Sequence, residues 1–118
     1  MRAARTLVIL VIAWAFSVAA AAADSPIDTG LLLFTGKCAL CHAEGGTGAI
    51  MLSWRLGKNH SLLADRTDLR APYVTAIVRS GLRSMPPLTR VEVTDEQLRA
   101  IAAYLSRARR NSAARHAP

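Results

Sequence analysis

Two cysteines and a histidine stand together in the run Cys38-Ala39-Leu40-Cys41-His42. Residues three positions apart share one face of a helical turn, so both thiols can reach the vinyl groups of a single porphyrin. The histidine that follows can ligate the iron from one side of the ring, as the proximal ligand. This spacing is the attachment signature of a c-type haem, and it predicts one covalently bound haem c held by Cys38, Cys41 and His42.

Other uses of the two thiols fit this sequence less well. A structural zinc site needs a second pair of ligands, and His60 and His116 lie at no recognisable zinc-ligand spacing from the only two cysteines. A thioredoxin-like redox pair needs a strand-helix context, which this stretch does not have. A plain disulfide is the remaining alternative, and it leaves His42 without a role.

The first 23 residues have the pattern of an export signal. Basic residues precede an apolar stretch over 7–18, and Ala21, Ala22 and Ala23 provide the small-residue cleavage signature. We expect cleavage before Asp24 and a periplasmic location, because haem of this type is attached outside the cytoplasm. An uncleaved anchor is the alternative, since residues 7–23 approach the shortest length that spans a bilayer.

The rest of the chain is expected to form one small domain over residues 24–106 and a basic, solvated tail over residues 107–118. The formal net charge is +7, but the excess arginines lie mainly in the signal and the tail, leaving the body at about +1. The sequence shows no basic groove with interleaved aromatic residues, so nucleic acid is not an expected partner. A domain of this size has a marginal core, which a large apolar cofactor would complete.

The first predicted helix leads into the cysteine motif. Asp28 or Thr29 is expected to cap it, and Gly30, Phe34 and Cys38 recur at a spacing of four, which places them along one face. The glycine-rich residues 45–48 are expected to end this helical region. Beyond them the pattern is weak, and only short helical turns are predicted near residues 50–56 and 61–65.

Two further helices are predicted in the second half of the chain. The first begins at Pro72 and ends at Gly81, with a buried side marked by Tyr73, Ile77 and Val78. The second begins with a capping box, a pair of reciprocal hydrogen bonds between residues 94 and 97. Its expected apolar positions are Leu98, Ile101, Ala102 and Leu105. Helices joined by loops, with no convincing strand pair, predict an all-α fold.

These residues resemble the class I, mitochondrial-like cytochromes c over most of the sequence after residue 23. Gly30, Phe34 and Cys38 match the family's first helix, in which a glycine and an aromatic residue precede the haem motif. The resemblance implies that the N- and C-terminal helices cross at this glycine and clasp one haem. It further implies that Gly30 and Phe34 meet Ile101 and Tyr104.

The segment 78–86 resembles the part of the family that supplies the distal iron ligand, a methionine followed by proline. Met85 is therefore the expected sixth ligand, with Met51, His60 or an open position as alternatives. Ligation by His42 and Met85 would fill both axial positions and raise the reduction potential. This arrangement predicts a one-electron carrier and not an enzyme, whereas an open position would favour a peroxidase-like or gas-sensing haem protein.

Within the family, the segment is similar to that of the cytochrome subunits of periplasmic flavin-dependent dehydrogenases acting on 4-alkylphenols, such as 4-cresol dehydrogenase. Both have an arginine, a glycine and a second arginine before the Met-Pro pair, here Arg79, Gly81 and Arg83. The similarity implies a flavoprotein as electron donor and an oxidase or another cytochrome as acceptor.

Four cationic or aromatic side chains are candidates for the surroundings of the haem. Arg79 and Arg83 could steer an acidic redox partner, or they could be solvated or pair with the haem propionates. Trp54 and Arg55 are of the residue types that bind a buried propionate.

One position departs from the family pattern, which commonly has a proline after the glycine loop. Here Ala49 follows Gly48. We expect the carbonyl of Ala49 to accept the second N–H of the His42 ring, as the proline carbonyl does in the family.

Overall fold

The computed structural model describes residues 25–108 and 110–111 of the 118-residue chain. The predicted signal over residues 1–23, and most of the predicted tail, lie outside these residues. The described part is helical. Its elements are α1 (Pro26–Lys37), α2 (Ala39–His42), α3 (Thr47–Leu56), two 3-10 turns (Lys58–His60 and Leu63–Asp65), α4 (Ala71–Ser80) and α5 (Asp95–Leu105).

Helix α1 begins earlier than the sequence pattern predicted. Its N-cap is Ser25, whose hydroxyl accepts hydrogen bonds from the amides of Ile27 and Asp28, and Pro26 occupies the first helical position. The predicted cap at Asp28 or Thr29 is therefore wrong. A serine followed by proline is a stronger start signal, because proline lacks the N–H that would otherwise be left without a partner.

The first and last helices cross at Gly30, as the family resemblance implied. A Cβ at this position would lie 2.7 Å from the Cβ of Tyr104 and would overlap the backbone of Ala100. One turn later, the ring of Phe34 packs against the ring of Tyr104, with centroids 5.6 Å apart. The absence of a side chain at Gly30 thus sets the close approach of the two helices.

A single buried cluster lies between α1, α4 and α5, and Leu98, Ile101 and Val93 are its most buried large side chains. The predicted apolar positions of α5 are all buried. In α4 the buried residues are Val74 and Val78. Tyr73, which was predicted on the same side as Ile77 and Val78, has half of its surface exposed.

The predicted capping box of the last helix is present. The Thr94 hydroxyl accepts from the Gln97 amide, and the Gln97 side chain accepts from the Thr94 amide. These bonds satisfy two donors that a helix start leaves free.

The segments between the first and last helices differ from the prediction in the length of α3. Helix α3 is longer than the short turn predicted for this stretch, because it begins at Thr47, within the glycine-rich residues. Between α4 and α5, the one β-type pairing among the described residues is an isolated bridge between Leu82 and Met85. None of the helices in the described part of the chain is long and apolar enough to span a membrane.

Arg107 is an exception to the predicted solvated tail. Its guanidinium lies 4.0 Å from the centroid of the Tyr104 ring and donates to the carbonyls of Tyr104 and Ala64. This side chain therefore ties the end of α5 to the second 3-10 turn.

Candidate functional site

The cysteine motif forms one tight turn at the end of α1. Cys38 ends that helix and starts α2, and its carbonyl accepts from the amides of Cys41 and His42 at 3.1 and 3.0 Å. Both thiols are free; Cys38 is half-buried and Cys41 is exposed. Burial raises the pKa of the Cys38 thiol. The motif therefore presents two thiols and an imidazole on a single turn, as its spacing predicted.

A cavity of about 280 Å³ opens beside this turn. Its walls are largely aliphatic and aromatic, and they include residues from every α-helix described. The lining comprises Phe34, Cys38, Cys41, His42, Thr47, Gly48, Met51, Leu52, Arg55, Leu63, Arg66, Leu69, Tyr73, Val74, Ile77, Val78, Leu82, Arg83, Ser84, Met85, Pro86, Ile101 and Leu105. Both thiols, the imidazole and the Met85 side chain thus belong to one apolar chamber.

The imidazole of His42 lies against the start of α3. A Cβ at Gly48 would be 3.0 Å from its Nδ1 atom, so glycine at this position lets the helix approach the ring. Burial lowers the pKa of His42, which favours the neutral ring that can ligate a metal.

The Nδ1 atom of His42 is buried and has no hydrogen-bond partner. The expected hydrogen bond to the carbonyl of Ala49 is therefore wrong. Ala49 lies inside α3, where carbonyls point along the helix axis towards later amides.

These features fit a covalently attached haem. The cavity is apolar, as the porphyrin requires, and two free thiols and a neutral imidazole stand at its edge on one turn. A four-ligand metal site has no counterpart among residues 25–108 and 110–111, in which no group of three or more His, Cys, Asp or Glu could hold a metal ion.

Met85 reaches the cavity from the loop after α4. It is half-buried, packs against the core and exchanges two backbone hydrogen bonds with Leu82, each of 3.0 Å. Met51 also lines the cavity, from α3, and is 41% exposed. His60 is exposed in a 3-10 turn and is not among the lining residues. Of the three predicted distal candidates, only the two methionines belong to the chamber.

Only one of the two residues predicted to bind a propionate belongs to the cavity. Arg55 lines the cavity, whereas Trp54 is 75% exposed and does not. A second cation was missed in the sequence: Arg66 lines the cavity and donates two hydrogen bonds to Asp68. The sequence has no periodic pattern that would identify Arg66 as a lining residue, because it lies between a 3-10 turn and a loop.

The two arginines before Met85 have different environments. Arg83 is exposed, lines the cavity and has a positive φ of 55°. Arg79 does not line the cavity; its guanidinium bonds to backbone carbonyls and to Asp95. The expectation that Arg79 is solvated, pairs with a propionate or faces a partner is wrong, because these bonds turn it towards the protein.

Comparison with known proteins places the chain in a family. A family model described as cytochrome c oxidase, cbb3-type, subunit III matches residues 25–105. No curated protein and no solved structure matches the chain. The matched residues contain the whole cavity lining and all the helices described above. The chain therefore belongs to this family of c-type cytochromes: it is an all-α, electron-carrying protein with covalently attached haem c.

Proposed function

We propose that this protein is a periplasmic one-electron carrier whose haem is attached to Cys38 and Cys41 and ligated by His42 and Met85. The observation that carries the proposal is that all four side chains line one apolar cavity. Cys38, Cys41, His42 and Met85 would hold the haem, which would supply one-electron oxidation and reduction with little structural change.

The residues of the chain have separate tasks in this proposal. The two thiols tether the cofactor, and the turn that contains them brings His42 to one side of the cavity. The bridge between Leu82 and Met85 presents the thioether from another segment. The aliphatic side chains around them exclude water, which favours the less charged, reduced state. Arg55, Arg66 and Arg83 line the cavity and are the cations available for the propionates.

The distal ligand is the part of the proposal that is easiest to test. In the purified holoprotein, Met85→Ala should abolish the weak far-red absorption band that methionine ligation gives to ferric haem. The ferrous form should then bind carbon monoxide readily. Met51→Ala is the matched control, because Met51 lines the same cavity, and it should leave the band in place. Loss of the band in Met51→Ala, with no change in Met85→Ala, would reassign the ligand.

An open sixth position is the alternative outcome of the same measurement. A wild-type holoprotein without the far-red band, which binds carbon monoxide at once, would be a peroxidase-like or gas-sensing protein and not a carrier.

We further propose that the electron donor is a flavin-dependent dehydrogenase acting on 4-alkylphenols. The support is the similarity of the segment containing Arg79, Gly81 and Arg83 to the cytochrome subunits of such enzymes. Adding a 4-alkylphenol to a periplasmic extract should reduce the haem of this protein. If the haem is reduced only by respiratory donors, a role in an oxidase chain, as the family description suggests, replaces this one.

Export and processing form a separate proposal, which rests on residues 1–23. We expect the mature protein to begin at Asp24 and the folded domain to extend to about residue 106, followed by the basic tail. Mass spectrometry of the intact holoprotein from both the periplasmic and the membrane fraction would test this, since an uncleaved chain would carry the extra mass of the signal and would sediment with membranes.

A further inference from the structure

The segment that carries Met85 has no regular secondary structure. This segment, residues 82–93, is named here the distal loop. Near its start the Leu82 and Met85 backbones bond to each other, and the Leu88 amide donates to the carbonyl of Val78 at 2.8 Å. The loop contains no helix or strand. Apart from the bonds within it, the loop is therefore held in place by contacts with residues outside it.

Arg79 supplies the most extensive of these contacts. Its Nη1 atom donates to the carbonyls of Leu88 and Thr89 at 3.0 and 3.1 Å. Its Nη2 atom donates to the carbonyl of Val93 and to the carboxylate of Asp95, both at 2.8 Å. Three of the four acceptors are thus backbone atoms of the distal loop, and the fourth lies at the start of α5.

The environment of Arg79 makes these bonds strong. Only 19% of the side chain is exposed, so water competes weakly for the donors. Hydrogen bonds from a charged group are stronger than neutral ones, and the planar guanidinium can serve several acceptors in a fixed geometry. The third nitrogen, Nε, is buried without a partner. The two Nη atoms therefore make all four hydrogen bonds of the guanidinium, and the Nε atom makes none.

A second tether holds the same part of the loop from the other side. The Lys37 ammonium donates to the carbonyl of Glu92 at 2.7 Å, and the Glu92 carboxylate accepts from the amide and hydroxyl of Thr89. Lys37 is the residue immediately before the first cysteine. The residues after Met85 are thus connected both to α4 and to the end of α1.

We propose that Arg79 is a positioning residue for Met85: by fixing the carbonyls of Leu88 and Thr89, it limits the excursions of the thioether from the cavity. This inference rests on Met85 as the distal ligand, as proposed above. Met85 is paired with Leu82 on one side and is followed, along the chain, by these two carbonyls. Without the bonds from Arg79 to these carbonyls, the backbone around Met85 has more conformational freedom. Holding the thioether in its bound position then costs more conformational entropy.

The test is competition between Met85 and an added ligand in the ferric holoprotein. Imidazole displaces a distal methionine, and the displacement removes the far-red band. In Arg79→Gln the apparent dissociation constant for imidazole should fall about tenfold. The reason is that imidazole can then displace Met85 without opposition from the hydrogen bonds that Arg79 makes to the distal loop. Arg79→Lys keeps the charge but cannot serve all four acceptors, so its value should lie between those of Arg79→Gln and the wild type.

Arg90→Gln is the matched control. Arg90 is 74% exposed and donates to the other carboxylate oxygen of Asp95, but it has no hydrogen bond to a distal-loop carbonyl. The variant Arg90→Gln loses the same charge as Arg79→Gln. We expect its affinity for imidazole to stay within about twofold of that of the wild type. Circular dichroism of each holoprotein checks that the helices are intact.

The outcomes separate this inference from the proposed function. If the wild type has the methionine band and Arg79→Gln keeps the wild-type imidazole affinity, Arg79 has no positioning role, even if its melting temperature falls. An equal change in Arg90→Gln would assign the effect to charge and would also overturn the inference. If the wild type itself lacks the band, the proposed distal ligand fails first.

Discussion

Gly30 and Tyr104 touch where the first and last helices cross, and the contact leaves no room for a side chain at residue 30. A Cβ there would lie 2.7 Å from the Cβ of Tyr104. The backbone of Ala100 closes the other side of the position. The two helices can therefore come this close only because residue 30 has a hydrogen atom where other residues have a Cβ.

Gly30→Ala should destabilise the holoprotein by about 1–3 kcal/mol, because the helices must separate or shift to admit the methyl group. Gly36→Ala is the control within the same helix, since a Cβ at Gly36 meets nothing within 4 Å. It should be neutral or stabilise the protein by up to about 1 kcal/mol, through helix propensity. Denaturant unfolding of both variants measures the difference, and equal values would show that the crossing tolerates a side chain.

Thr94→Ala should lower the stability by about 1 kcal/mol, because it removes the acceptor of the Gln97 amide and leaves the start of α5 uncapped. Thr75→Ala, at an exposed position within α4, removes a similar hydroxyl without a cap. Thermal unfolding should show a clear decrease for the first variant and none for the second. A decrease of the same size in both would mean that the cap contributes nothing particular.

Arg107→Ala should cost about 1–2 kcal/mol through the loss of the cation–π contact with Tyr104 and the bond to the carbonyl of Ala64. Arg99→Ala removes the same charge from an exposed position of α5 and should change the stability by less than about 0.5 kcal/mol. Urea unfolding of the two holoproteins makes the comparison. If they behave alike, Arg107 belongs to the solvated tail after all.

The ion pair between Arg66 and Asp68 should make stability depend on pH in the acid range. Hydrogen bonds from the Arg66 guanidinium lower the pKa of Asp68 from 3.8 to about 2. A carboxyl whose pKa is lowered on folding stabilises the protein fully above its unfolded pKa, and loses that contribution as the pH falls towards the folded value. The stability advantage of the wild type over Asp68→Asn should therefore shrink between about pH 4 and pH 2.

The advantage should be small, because the Asp68 side chain is half exposed and water screens the pair. Chemical unfolding of both proteins at several pH values from 2 to 7 gives the curve. A constant difference across this range would show that Asp68 is not the group that titrates.

Local signals predicted the helices well where the chain has a strong start or stop. The capping box at Thr94 and Gln97, and Gly81 as the end of α4, are both present. The start of α1 was missed by three residues because two acceptable caps, Asp28 and Thr29, follow Ser25. Helix α3 was underestimated, since Gly48 suggested a loop although the helix needs glycine there to approach His42.

The lining of the cavity was only partly predictable. The motif residues and Met85 could be identified because their spacing and neighbours are distinctive. Outside the cavity, the bonds of Arg79 to the distal loop could not be predicted, because three of its acceptors are backbone carbonyls, which leave no mark on the sequence. Arg66 reaches the cavity from the segment between the second 3-10 turn and α4, whose path local patterns do not specify.

The wall of the cavity has contributions from the two most distant helices, Phe34 from α1 and Ile101 and Leu105 from α5. A chain is synthesised from its N-terminus, so the cysteine motif is made long before Ile101 and Leu105. The chamber lacks one side until the last helix packs against the first. The order of synthesis therefore makes α5 the last wall of the chamber to be added.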